Sequence, residues 1–172
     1  MTRCEECGYD WDADPIDIAV FADRYAKPLT RFLPADDPDV VLRTRPEPTV
    51  WSALEYAAHV RDAFGFYGGR IGRALSEDRP QFSPRDPDAV CEERRYNEED
   101  PAATLVGLAA AANDLAALLA DLDDAQWERV GVGIDGDERT VRVLARRAAH
   151  EGSHHLLDIG RVLRHVRQTL ER

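Results

Sequence analysis

Apolar residues recur at three- and four-residue intervals over four long stretches of this chain, separated by segments rich in proline, glycine and acids. That spacing gathers the apolar positions on one face of an α-helix. The first stretch opens at Asp14-Pro15, a capping residue followed by a proline with preset φ. It continues through Ile18, Phe21, Ala22, Tyr25 and Leu29 to about Leu33, with a kink expected at Pro28. Pro34, Pro38, Pro46 and Pro48 mark the following segment as a loop, and Thr49 is expected to cap a second helix reaching about Glu77. This second helix carries two stripes: Val50, Leu54, Ala57, Phe64, Ile71 and Leu75 on one side, Tyr56, His59, Ala63 and Phe66 on another. Two stripes imply two packing partners.

Pro80, Pro84, Pro87 and many charges make the segment from Asp78 to Asp100 read as a long crossover, with one irregular turn expected within it. Asp100-Pro101 repeats the cap-and-proline start, and Leu105, Leu108, Ala112, Leu115, Leu118, Leu119 and Leu122 form the core face of a third helix. A short helical turn is expected near Gln126-Trp127. The glycine-broken run from Gly131 to Asp137 then suits a small hairpin, and it is no phosphate loop, because no strand precedes it and no Lys-Ser/Thr ends it. Thr140 caps the last helix, whose stripe is Val141, Ala145, Ala148, Gly152, Leu156, Ile159, Leu163, Val166 and Leu170. The expected fold is all-α, a four-helix bundle with a long crossover between the second and third long helices. Residues 14–172 form the bundle domain and residues 1–13 a cysteine-containing leader.

A chain of 172 residues fits one domain, and at this size about 70% of the unfolded surface is buried on folding. Its 22 basic and 33 acidic residues leave a formal net charge of -11, which repels polyanions and argues against a nucleic-acid partner. The arginines of the C-terminal stretch read as a solvated face. The N-terminus has no apolar core, and the longest apolar run, around Leu105 to Ala112, is too short to span a bilayer. No membrane partner and a cytoplasmic location are therefore expected. Three cysteines in a reducing compartment do not make a disulfide framework. Cys4-Glu5-Glu6-Cys7-Gly8-Tyr9 has the form of half a zinc knuckle. Two more ligands would be needed, and the one other cysteine, Cys91, is expected in a distant polar loop.

Three of the five histidines, His150, His154 and His155, crowd with Glu151 and Asp158 into the last helix. Residues four apart share a helical face, so the run offers His150 with His154, or Glu151 with His155, as a chelating pair. At about 100° per residue, His150 and His154 lie roughly 160° from the centre of the apolar stripe and are expected to face water. Glu151 and His155 lie about 100° and about 60° from that centre, on the flank of Leu144 and Val162. A partly buried edge suits a ligand better. His59, on the second stripe of the second helix, could complete a three-ligand site from across the bundle, and Asp158 could orient an imidazole or add a ligand. The competing reading makes Glu151 a surface ion-pair partner and His155 and His59 ordinary core histidines.

At these residues the chain resembles the DinB-like superfamily of four-helix metalloenzymes, which includes the mycothiol-dependent maleylpyruvate isomerases. Trp51-Ser52-Ala53-Leu54-Glu55-Tyr56-Ala57-Ala58-His59 is similar to the family's Trp, seven residues, His pattern, whose His is a metal ligand. Glu151, His155, Asp158 and Ile159 match the family's C-terminal helix pattern, and the isomerase branch likewise uses Glu as the middle ligand. The resemblance covers roughly Pro15 to Leu170 and leaves the cysteine leader outside. It implies His59, Glu151 and His155 as ligands of a divalent metal, zinc first, with nickel, iron or manganese also compatible. It further implies a small-molecule substrate and a low-molecular-weight thiol as co-substrate of an S-transferase or isomerase, or else hydrolysis. Tyr56, Arg61 and Arg147 are candidate substrate-facing groups. A homodimer stays open, as does the alternative of a non-catalytic metal-binding or stress-related interaction protein.

Overall fold

The computed structural model describes residues 2–12, 17–31 and 38–171. The Asp14-Pro15 start and the expected end near Leu33 lie outside the described residues. Within them, helix α1 spans Val20–Arg31, opening where Asp17 Oδ1 accepts the Val20 N–H at 3.3 Å. Ile18, Phe21, Tyr25 and Leu29 are all buried, as their spacing requires. The interval expected to be a loop contains a further helix, α2 (Pro38–Arg43), which buries Val41 and Leu42. Proline at the first position of a helix favours it, because the missing N–H has no partner there in any case.

The N-cap of helix α3 (Ala53–Ser76) is Ser52, three residues beyond the expected Thr49. Ser52 Oγ accepts the Glu55 N–H at 3.2 Å while Glu55 Oε2 accepts the Ser52 N–H at 2.8 Å, a reciprocal capping box. Arg45 grips the same carboxylate with two bonds of 2.8 and 2.6 Å. The crossover also departs from expectation. It holds a two-turn helix, α4 (Pro87–Arg94), whose cap Asp86 accepts from the N–H groups of Asp88 and Ala89, followed by a 3₁₀ turn at Tyr96–Glu98. Cys91 is thus not in an exposed loop: it is buried on α4, with Sγ 3.6 Å from Glu55 Oε1.

Helix α5 (Pro101–Ala120) is capped by Asp100, as the cap-and-proline signal predicts, and buries Thr104, Leu108, Ala112, Leu115 and Leu119. By length and composition alone this 20-residue helix is long enough to cross a bilayer, longer than the apolar run from Leu105 to Ala112 suggests. Here its buried face packs on α1 and α3. After α6 (Asp124–Trp127), strands β1 (Val130–Val132) and β2 (Glu138–Thr140) form the expected hairpin, antiparallel with Gly131 opposite Arg139. Helix α7 (Val141–Leu170) follows, with Thr140 capping the Val143 N–H.

The bundle is not laid out in chain order. Helix α3 packs along α5 and α7, and so does α1, which leaves α1 and α3 on one diagonal, where the Phe21 and Phe64 rings meet at 5.8 Å. The consequence for the site is that α3 and α7 are neighbours, with His59 and Glu151 facing one another across their interface. Gly152 secures α7 from behind. A Cβ at this position would come within 2.9 Å of the Phe21 ring, and Tyr25 on α1 donates its hydroxyl to the Gly152 carbonyl at 2.9 Å.

Candidate metal centre

Three side chains from two helices converge beside that anchor. Glu151 Oε2 lies 3.2 Å from His59 Nε2 and 3.2 Å from His155 Nε2, and the three donor atoms lie within 4.8 Å of one another. Helix α7 supplies Glu151 and His155 one turn apart; α3 supplies His59, which is buried. The rings of His59 and His155 meet edge to face, their centroids 4.8 Å apart. Asp158 Oδ2 holds His155 Nδ1 at 3.0 Å, which turns Nε2 toward Glu151. Trp51 packs on His59 at 5.0 Å and Tyr56 stacks on His155 at 5.2 Å, so each imidazole is backed by an aromatic ring.

The electrostatics of the cluster follow from this packing. Burial opposes the Glu151 charge, yet the bonds from His155 and His59 outweigh it and hold the carboxyl well below the usual carboxylate range. Burial likewise works against a charged His155, but Asp158 and Glu151 raise its pKa to about 9. Without a cation, then, a protonated imidazole is what balances the half-buried carboxylate. A divalent ion can do the same with more charge. Two imidazoles and a carboxylate are a regular first-row donor set, and metal bonds of about 2.0–2.2 Å put neighbouring donors of a tetrahedron about 3.3–3.5 Å apart, close to the 3.2 Å separations here. The residues fit a metal.

The cluster forms the floor of a cleft of about 310 Å³, walled by Thr49, Trp51, Tyr56, Pro87 and Asp88. Of the three candidate substrate-facing groups, Tyr56 is here and Arg61 and Arg147 are not among the lining residues. Arg61 is held by Glu99 (2.5 and 2.9 Å) and Asp62 (2.9 Å) and lines a separate cleft with Phe66 and Arg85. Pro87 and Asp88 reach the cleft because the crossover, irregular by its proline and charge content, folds into α4 there. Asp86-Pro87 carries the same cap-and-proline signal that correctly marked α5.

His150 and His154 do not face water as the helical count predicts. Both are half-buried beneath residues 2–12, with Trp11 packed over the His150 ring at 4.6 Å and Cys4 Sγ 3.7 Å from His154 Nδ1. The wheel places them correctly opposite the apolar stripe; the leader supplies a covering that a wheel does not contain. The Cys4 thiol is drawn down to about 6, first by the backbone of Cys7 and then by the His150 ring, whereas burial pushes Cys7 up.

No curated protein matches this chain. Among solved structures it is similar to YfiT from Bacillus subtilis, described as a probable metal-dependent hydrolase with an unusual four-helix bundle topology. Identity is 22%, covering 87% of this chain and 83% of that one, with a TM-score of 0.75. That likeness shows the fold. The DinB superfamily matches residues 25–159, from Tyr25 in α1 to Ile159 in α7 and including His59, Glu151 and His155, and the chain belongs to that superfamily.

Proposed function

We propose that the protein is a divalent-metal-dependent enzyme acting on a small molecule, with His59, Glu151 and His155 as the ligands. The observation that carries this reading is their convergence at the floor of a cleft, each ring already oriented by a neighbour. When bound, the ion supplies Lewis acidity and brings a water or thiol toward ionisation near neutral pH, with positions left open by the three protein donors. The chain's own residues do the rest. Trp51 and Tyr56 offer flat apolar walls to a substrate, and Asp88 places a carboxylate among the lining groups.

For the reaction, the proposal is transfer or isomerisation using a low-molecular-weight thiol, which the Glu in the middle ligand position supports. The description of YfiT favours a second reading, hydrolysis of a small substrate. A cytoplasmic setting belongs to the proposal and accords with three free cysteines, and neither nucleic acid nor membrane is proposed as a partner. The test is a panel of thiol-acceptor electrophiles and of ester and amide substrates, assayed with and without thiol and chelator. Thiol-dependent, chelator-sensitive turnover is expected; turnover without thiol selects hydrolysis. Metal content equal in wild type, His59→Ala and His155→Ala would sink both.

A further inference from the structure

We propose a second metal site in this protein, a closed Cys₂His₂ zinc site made by Cys4 and Cys7 of the leader with His150 and His154 of α7. One donor atom from each of the four lies within 4.8 Å of the others. The cysteines come from a tight knuckle. Arg3 and Asp10 bridge as in an antiparallel pair, Cys4 N–H donates to the Tyr9 carbonyl at 2.9 Å, and Gly8 N–H donates to the Cys4 carbonyl at 2.9 Å. Gly8 turns the chain with a φ of +72°, a conformation that L side chains rarely adopt, and so the Cys-x-x-Cys pair is folded back toward α7. The histidines are one helical turn apart, with ring centroids separated by 5.1 Å.

Distances suit the ion. With Zn–S near 2.3 Å and Zn–N near 2.0–2.1 Å, a tetrahedron sets sulfur and nitrogen about 3.6 Å apart. The observed Cys4 Sγ to His154 Nδ1 separation is 3.7 Å. A second observation points the same way: His150 Nε2 is sealed from solvent and has no hydrogen-bond partner of regular geometry among the described residues, although Cys4 lies beside the ring. Buried ring nitrogens left so are rare in folded proteins. On its far side the His154 ring presents Nε2 to Glu6 and Asp158, each 3.8 Å away, the carboxylate surroundings that a histidine ligating through Nδ1 uses. Trp11 and Tyr9 close over His150 at 4.6 and 5.6 Å.

Four protein donors fill a tetrahedral shell, so this site is structural where the first is open. Two thiolates neutralise the dication. The ion would staple the leader to α7 directly behind Glu151 and His155, and Asp158 would serve both centres, its Oδ2 lying 3.0 Å from His155 Nδ1 and 3.8 Å from His154 Nε2.

The experiment uses the full chain, reduced and loaded with cobalt(II) or zinc. Cobalt should give a thiolate-to-metal charge-transfer band that disappears in Cys4→Ser/Cys7→Ser and in His150→Ala/His154→Ala. The band should persist in His59→Ala/His155→Ala, so failure of this inference and failure of the proposed enzyme are read separately. Zinc content should drop by one equivalent in the cysteine variant. As a measurement needing no substitution, zinc should slow alkylation of Cys4 and Cys7 together in the wild type, at least tenfold, without slowing that of Cys91. Absence of the charge-transfer band in the reduced wild type overturns the site, as does a band indifferent to loss of both histidines, or no protection by zinc.

Discussion

Two donor clusters lie side by side along one helix and differ in what surrounds them. His150 and His154 meet two thiols from a knuckle and are roofed by Trp11; Glu151 and His155, one residue further along, meet a single histidine and open onto a cleft. A step of one residue turns a helical side chain by about 100°, so one short sequence serves two environments. Ligand identity sets whether a cation is held, while the number of donors and the exposure of the remaining positions set whether chemistry can follow.

The largest effect that separates the two clusters should come from His155→Ala. Loss of a ligand from a three-donor centre is expected to lower metal affinity there by more than about 100-fold and to abolish chelator-sensitive turnover, with the cobalt-thiolate band unchanged. Metal titration and absorbance on one sample read both. Next comes Asp158→Asn, which should weaken the open centre by about 10–100-fold and the thiolate site less, because the bond to His155 is 3.0 Å and the approach to His154 is 3.8 Å. Equal losses at the two centres would remove the proposed asymmetry.

Proton competition gives a smaller, graded difference. In the metal-free protein His155 stays protonated up to about pH 9, against an ordinary value of 6.5, so a metal entering the open centre must displace that proton. Apparent affinity should rise about tenfold per pH unit below that value and level off above it, with one proton released on binding in lightly buffered solution. The sign for stability is opposite. The raised pKa stabilises the metal-free fold fully below pH 6.5, and that contribution is lost as pH climbs through about 9. Melting of the chelated protein across this range checks it. The smallest change should follow Gly152→Ala: overpacking against Phe21 costs about 1–3 kcal/mol and is offset by up to about 1 kcal/mol of helix propensity. A modest fall in Tm is expected, with weaker metal binding at the open centre because Glu151 is adjacent.

Much of this was legible along the chain. Asp100-Pro101 and Thr140 sit where α5 and α7 begin, and the stripes named for the long helices are largely the buried positions. Two capping signals compete at the start of α3. Thr49 precedes the apolar run, but Ser52 has Glu55 three residues on, and reciprocal bonds outrank a lone hydroxyl. Helices α2 and α4 were hidden because proline and charge density read as loop, although each opens with proline at its first position. Local spacing puts Glu151 and His155 on one face of α7, and the family pattern adds His59; the structure brings the three donor atoms within 4.8 Å of one another.

Within a few turns of backbone the chain itself sets which residues share a face, where α5 and α7 are capped, and that Glu151 and His155 form a pair one turn apart. Which elements meet is set by packing over the whole fold. The diagonal placement of α1 and α3 brings α3 beside α7, and the fold-back of residues 2–12 converts two histidines assigned to solvent into partners of two cysteines. The physical reason is range. Helical periodicity and capping act over three or four residues, whereas the encounter of Cys4 with His154, 150 positions apart, depends on how every intervening element packs.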